Sequence, residues 1–97
     1  MADDKNGNIL NVGDLVWFEV FETKLFHTGI KRMLGRIVYI DNSSYLSIIL
    51  GEEKLALRRR PSFDVEIASE NDAENLFHQQ INEYQNYLML FMLENAV

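Results

Sequence analysis

The chain contains no cysteine, which excludes disulfide staples, thiolate metal sites and cysteine nucleophiles. One proline and five glycines in 97 residues exclude a collagen-like or proline-rich linker composition. Long hydrophobic runs are missing too. The longest, Tyr87 to Leu93, is seven residues, against the roughly 20 that a membrane-spanning helix needs. The opening Met1-Ala2-Asp3-Asp4-Lys5-Asn6-Gly7-Asn8 is acidic and polar, without the cationic-then-apolar order of a secretory signal. A cytoplasmic protein with no membrane partner is expected.

Glycine-rich phosphate loops, HExxH, GxSxG and EF-hand spacings are absent as well. The two histidines, His27 and His78, are predicted to fall in a loop and on a helix face. They read as ordinary polar residues rather than a metal or acid–base pair. The carboxylate pairs Asp3-Asp4 and Glu52-Glu53 fall in a tail and a turn, where solvated charge is the ordinary role. The expectation is therefore no catalytic residue, no metal, no cofactor and no small-molecule substrate: the chain is not an enzyme.

What is present is a foldable composition, 47% hydrophobic and 25% charged, of a length that accommodates one core. From Asp14 to Ala68 the pattern is that of strands. Leu15 to Phe21, rich in Val, Phe and Trp, predicts strand one. Glu22 to Leu34, with Gly29 and several basic residues, predicts a long loop or irregular hairpin. Arg36 to Ile40 and Tyr45 to Leu50 predict strands two and three, joined through the turn formers Asp41-Asn42-Ser43-Ser44. Gly51-Glu52-Glu53 turns the chain, Lys54 to Arg58 predicts strand four, Pro61-Ser62 interrupts it, and Asp64 to Ala68 predicts strand five.

The period changes at Ser69. Ser69 and Asn71 with Glu70, Asp72 and Glu74 form a helix start, since capping oxygens and carboxylates suit the positive end of a helix dipole. Apolar residues then recur at Ala73, Phe77, Ile81, Tyr84, Leu88 and Phe91, a helical stripe near a heptad seam. A long helix from Asp72 to Asn95 is expected.

The segments Val12-Gly13-Asp14-Leu15-Val16 and Gly35-Arg36-Ile37-Val38 resemble the G-D-x-V and G-x-V elements of KOW-type members of the SH3-like small barrels. The resemblance spans Val12 to Ala68 and implies a five-stranded SH3-like barrel. Gly13-Asp14-Leu15-Val16-Trp17 is also similar to the opening strand of PemK/MazF-type toxin ribonucleases, but the Arg-Pro strand that follows there is missing. The predicted fold is mainly β within an α+β class, organised as a flexible N-terminal segment (1–11), the barrel (12–68) and the C-terminal helix (69–97).

Charge is unevenly spread. The net charge of −6 divides into −3 over residues 1–30, +4 over 31–60 and −7 over 61–97, the last with no base at all. Alternation in strand four predicts Leu55 and Leu57 on one face and Lys54, Arg58 and Arg60 on the outer one. Two roles compete for these cations. Arg36, Lys54, Arg58, Arg59 and Arg60 would hold nucleic-acid phosphates with Trp17 stacking on a base, or the acidic helix would neutralise them. Strand one poses a related choice, because Val16, Phe18 and Val20 fill one face while Leu15, Trp17 and Phe21 leave the other apolar too. That second face is either an aromatic groove or the seat of the helix. The end of the helix is apolar all round, so Tyr84, Leu88, Met89, Phe91 and Met92 are expected to form a protein interface, first with a second copy. The leading expectation is a non-enzymatic accessory or regulatory subunit that binds a protein partner and forms a homodimer; the alternative is a nucleic-acid binder.

Overall fold

The computed structural model describes residues 2–24, 27–50 and 57–94, the side chains of 22–24, 27–28 and 84–94 excepted. The elements in chain order are β1 (Leu15–Lys24), β2 (His27–Ile40), β3 (Tyr45–Ile49), β4 (Leu57–Pro61), a single 3-10 turn (Ser62–Asp64), β5 (Glu66–Ile67) and α1 (Ala73–Glu94). The five strands form one antiparallel sheet in the order β4-β3-β2-β1-β5. The fold is thus mainly β, with one C-terminal helix. No main-chain pairing joins β4 to β5 among the described residues, so the sheet is open where a closed barrel is expected.

Of the predicted loop over Glu22–Leu34, the described residues 22–24 and 27–34 are strand instead. β1 and β2 pair without interruption from Leu15 with Arg36 to Lys24 with His27. Regular pairing, with Phe21 opposite Ile30 and Thr23 opposite Thr28, outweighs the weak local preference of Gly29 and the basic residues around it. Strand four ends later than the predicted Arg58. It runs Leu57–Pro61, and the predicted start at Lys54 lies outside the described residues. Asp41 organises the β2–β3 turn by accepting the main-chain N–H groups of Ser43 and Tyr45 on one carboxylate oxygen. These bonds, the one from Tyr45 foremost, hold its carboxyl below the usual range.

One face of the sheet carries the main core. Val16, Ile37, Leu46, Ile48 and Val65 are fully buried there with Phe18. Gly35, the first residue of the G-x-V element, lies mid-strand opposite Val16. A Cβ at that position would collide with the side chains of Ile48 and Phe18, so glycine is required by close packing and not by a turn.

The N-terminal segment, expected to be flexible, contributes Ala2 and Leu10 to this core. Asp3 bridges Ile9, and the Lys5 N–H donates to the Val65 carbonyl at 3.0 Å. The Asp4 carboxylate is the fastener. It accepts the N–H groups of Asn6, Asn8 and Ile67 and the Asn8 side-chain amide at 2.8–3.1 Å. Burial by itself would raise the Asp4 carboxyl, but the bonds from Ile67, Asn8 and Asn6 together hold it below its ordinary value.

The opposite face of β1 and β2 is covered by α1. Leu15 and Leu34 are buried against Ala73, Phe77 and Ile81, with Trp17, Ala68 and Leu76 at the margin. The spacing of four between the three helix residues is what a helical stripe provides. Their burial contributes about 1.5–3 kcal/mol for each large side chain. The expectation was a long helix from Asp72. Side chains are described only over the eleven residues Ala73–Glu83, and that short stretch is what packs on the sheet. Tyr84, Leu88, Met89, Phe91 and Met92 lie beyond it, outside the described side chains.

Candidate binding cleft

The register of β4 reverses the predicted faces. Arg60 pairs with Leu46 and Arg58 with Ile48, and those two partners are fully buried. Directly opposed residues share a face, so Arg58 and Arg60 flank the core side. Leu57 and Arg59 take the other side, and Leu57 is 56% exposed. Side chains alternate in β4 as expected, but Leu57 does not mark its inner face.

The cations predicted as one phosphate track are divided. Arg36 donates to Glu74 at 2.6 Å and to the Gly13 carbonyl at 2.9 Å, with its guanidinium 5.4 Å from the Phe77 ring. The Glu74 carboxyl is lowered, chiefly by that bond. Arg59 donates to Asp41 at 2.7 Å and lies over Tyr45. Arg32, on β2, donates to Glu66 at 2.8 Å. Among the described residues the acidic C-terminal region therefore pairs with cations of β2 and with none of β4. Arg58 and Arg60 have no carboxylate within 4 Å among the described residues, and Lys54 lies outside them.

Trp17 is not a free stacking platform. Its indole Nε1–H donates to both Glu70 carboxylate oxygens at 3.0 and 3.1 Å, and the Arg32 guanidinium sits 4.8 Å from its ring centroid. The Glu70 carboxyl is lowered, first by its own main-chain N–H and then by this indole. Of the apolar residues on the second face of β1, α1 covers Leu15 and part of Trp17. Phe21 stays 69% exposed beside Ile30, 65% exposed.

Where β1 passes the end of β5, a cleft of about 410 Å³ opens. Its cations are Lys5, Arg32 and Arg60, its aromatic walls Trp17, Phe18 and Phe63, and its acids Glu19 and Asp64. Lys5 and Arg32 share Glu66, at 3.6 and 2.8 Å. Among the described residues Arg60 has no such partner. It donates to the Arg59 carbonyl at 2.9 Å and to the Glu19 carbonyl at 3.3 Å, and lies 5.7 Å from the centroid of Phe18. A guanidinium steadied by carbonyls and a ring face remains available to an anion. Among the described residues the lining carries carboxylates, an amine and guanidinium groups, and no hydroxyl, imidazole or thiol.

Sequence reasoning found Arg60 and Trp17 but missed Lys5, Phe18 and Phe63 as their neighbours. Phe63 alone carried a usable signal: an aromatic beside Pro61-Ser62, in a turn with little core to enter, is expected at the surface, and it is 67% exposed. Among the described residues no three His, Asp or Glu side chains are grouped to hold a metal ion, and no helix is long and apolar enough to cross a membrane. No protein-family model, curated protein or solved structure matches the chain.

Proposed function

We propose that the chain is a non-enzymatic interaction module that binds a protein partner in the β1–β4 cleft, as an accessory or regulatory subunit. Arg60 carries this reading. In a chain with fifteen acids, it is a half-buried guanidinium without a carboxylate among the described residues, placed between aromatic walls. Arginine with aromatic neighbours is the composition that dominates binding energy at protein interfaces. Self-association through the apolar stripe Tyr84, Leu88, Met89, Phe91 and Met92 forms the second part of the proposal, supported by the sequence pattern. An SH3-like curl of the sheet is its structural counterpart, supported by the return of β5 beside β1 and by the reach of Arg60 from β4 to Phe18 and Glu19.

Nucleic-acid binding is the weaker reading, because a phosphate-binding surface wants cations along one track. Here Arg36 and Arg59 are in ion pairs, and Arg58 and Arg60 are on the other face from Arg59.

Affinity capture from the native host with nuclease treatment tests the proposal, comparing the wild type with the double variant Arg60→Glu, Phe63→Ala. Loss of specific partners from the variant is expected. Identical capture by both would remove the cleft from the function, and a nuclease-sensitive gel shift abolished by Arg60→Glu would favour nucleic acid. Light scattering of Leu88→Glu, Phe91→Glu against a dimeric wild type tests the helix; a monomeric wild type at micromolar concentration ends that part.

A further inference from the structure

The main-chain groups of the cleft suggest what it binds. Along an antiparallel strand the N–H and C=O of successive residues point alternately to either side. Leu34 turns both groups away from β1, to the Gln80 side chain: its N–H donates to Oε1 at 2.9 Å and its carbonyl accepts from Nε2 at 2.7 Å. Its partner Trp17 therefore points away from β2, and Leu15 does so as well, accepting the Ala68 N–H at 2.9 Å. By alternation Glu19 and Phe21 present their main-chain groups to the same outer edge.

β5 occupies that edge only opposite Val16 and Trp17. At Val65 the chain leaves it for the Lys5 N–H and the 3-10 turn. Beyond Trp17 no described strand pairs with this edge of β1, and at Glu19 the edge lines the cleft. The only described group on it is Arg60 Nη2, on the Glu19 carbonyl at 3.3 Å. That distance is long for a bond from a charged donor.

We propose that the cleft takes an extended acidic peptide as an added strand, antiparallel or parallel to β1 and continuing the line of β5; this rests on the cleft being the protein-binding site. The incoming main chain pairs with the N–H and C=O of Glu19 and Phe21. A glutamate or aspartate side chain of the peptide draws Arg60 off the Glu19 carbonyl, which frees that carbonyl for the ladder. Apolar residues of the peptide lie on Phe63 and the Trp17 edge. Strand addition supplies affinity through main-chain bonds, and alternate side chains supply selectivity. Charge complementarity selects the occupant, since among the described residues Arg60 is the cation of the cleft without a carboxylate while Lys5 and Arg32 already share Glu66.

The single tryptophan, Trp17, lines the cleft and reports on it. The full chain is titrated with a ten-residue capped peptide alternating glutamate and valine, its lysine–valine counterpart, the glutamate–valine peptide N-methylated at alternate amides, and a ten-nucleotide thymidine strand. The acidic peptide is expected to change Trp17 fluorescence saturably, and the lysine peptide to bind at least about tenfold more weakly, as loss of one charge-assisted hydrogen bond implies. Arg60→Gln is expected to weaken the acidic peptide by a similar factor. Binding by the wild type is expected to slow amide exchange at Glu19 and Phe21, a readout that needs no variant. Equal binding of the N-methylated peptide, or unchanged exchange at both amides, overturns strand addition, as does preference for the thymidine strand. Should Arg60→Glu, Phe63→Ala lose its captured partners while the peptide protects neither amide, the cleft remains the binding site and only the strand is lost. Unchanged capture by that variant removes the cleft itself.

Discussion

The two faces of the sheet are covered by different means. On the inner face, Val16, Ile37, Leu46, Ile48 and Val65 are sealed from solvent by apolar packing. On the outer face the cover is a helix stretch that buries Ala73, Phe77 and Ile81 and is tied by polar contacts: Trp17 to Glu70, Arg36 to Glu74 and the Gln80 amide to Leu34. Apolar packing is strong but non-directional. A helix on a strand pair needs directional contacts to choose its position, and Gln80 provides them by completing the ladder where β3 stops.

Variants at Ile48, Gln80, Asp4 and Glu74 separate these roles. The largest effect is expected on the inner face: Ile48→Ala should lower stability by about 2–5 kcal/mol through lost burial and the cavity it leaves, measured by urea unfolding. A loss below 1 kcal/mol would mean that the inner face is loosely packed. Gln80→Ala should lower stability by about 1–3 kcal/mol by leaving the Leu34 N–H and carbonyl unpaired, and should speed exchange of the Leu34 amide. Exchange unchanged there would show that the helix is positioned without it.

Acid acts on the tail that closes the inner face. Because the Asp4 carboxyl is lowered in the fold, its contribution is complete above its ordinary value of 3.8 and is lost as the pH falls below it. Asp4→Asn should therefore lower the melting temperature at pH 7 and flatten its decline between pH 4 and pH 2. An unchanged slope would assign the acid sensitivity to other carboxylates. The smallest effect belongs to the exposed Arg36–Glu74 pair. Glu74→Gln should leave the melting temperature close to wild type, with any difference screened at high salt.

Much of the sheet was legible in local pattern. The opening of β1, most of β3 and the Asp41–Ser44 turn follow from alternation and turn formers. The extension of β2 back to His27 did not, because Gly29 and the basic residues carry little strand preference and only the partner strand makes it favourable. Of the cleft, Arg60 and Trp17 stood out as charged and aromatic residues. Lys5 and Phe63 did not, because their relation to β1 depends on the Asp4 fastening and on the 3-10 turn.

Composition and period by themselves determined that this chain forms strands followed by a helix, that its charge is segregated, and that both faces of β1 are largely apolar. Those are properties of neighbours in sequence. The tertiary structure decided which face of β4 points inward, which acids meet which arginines, and that Arg60 reaches the Glu19 carbonyl on the edge of β1. Register and long-range pairing set these, and one residue of slip exchanges the faces of a strand.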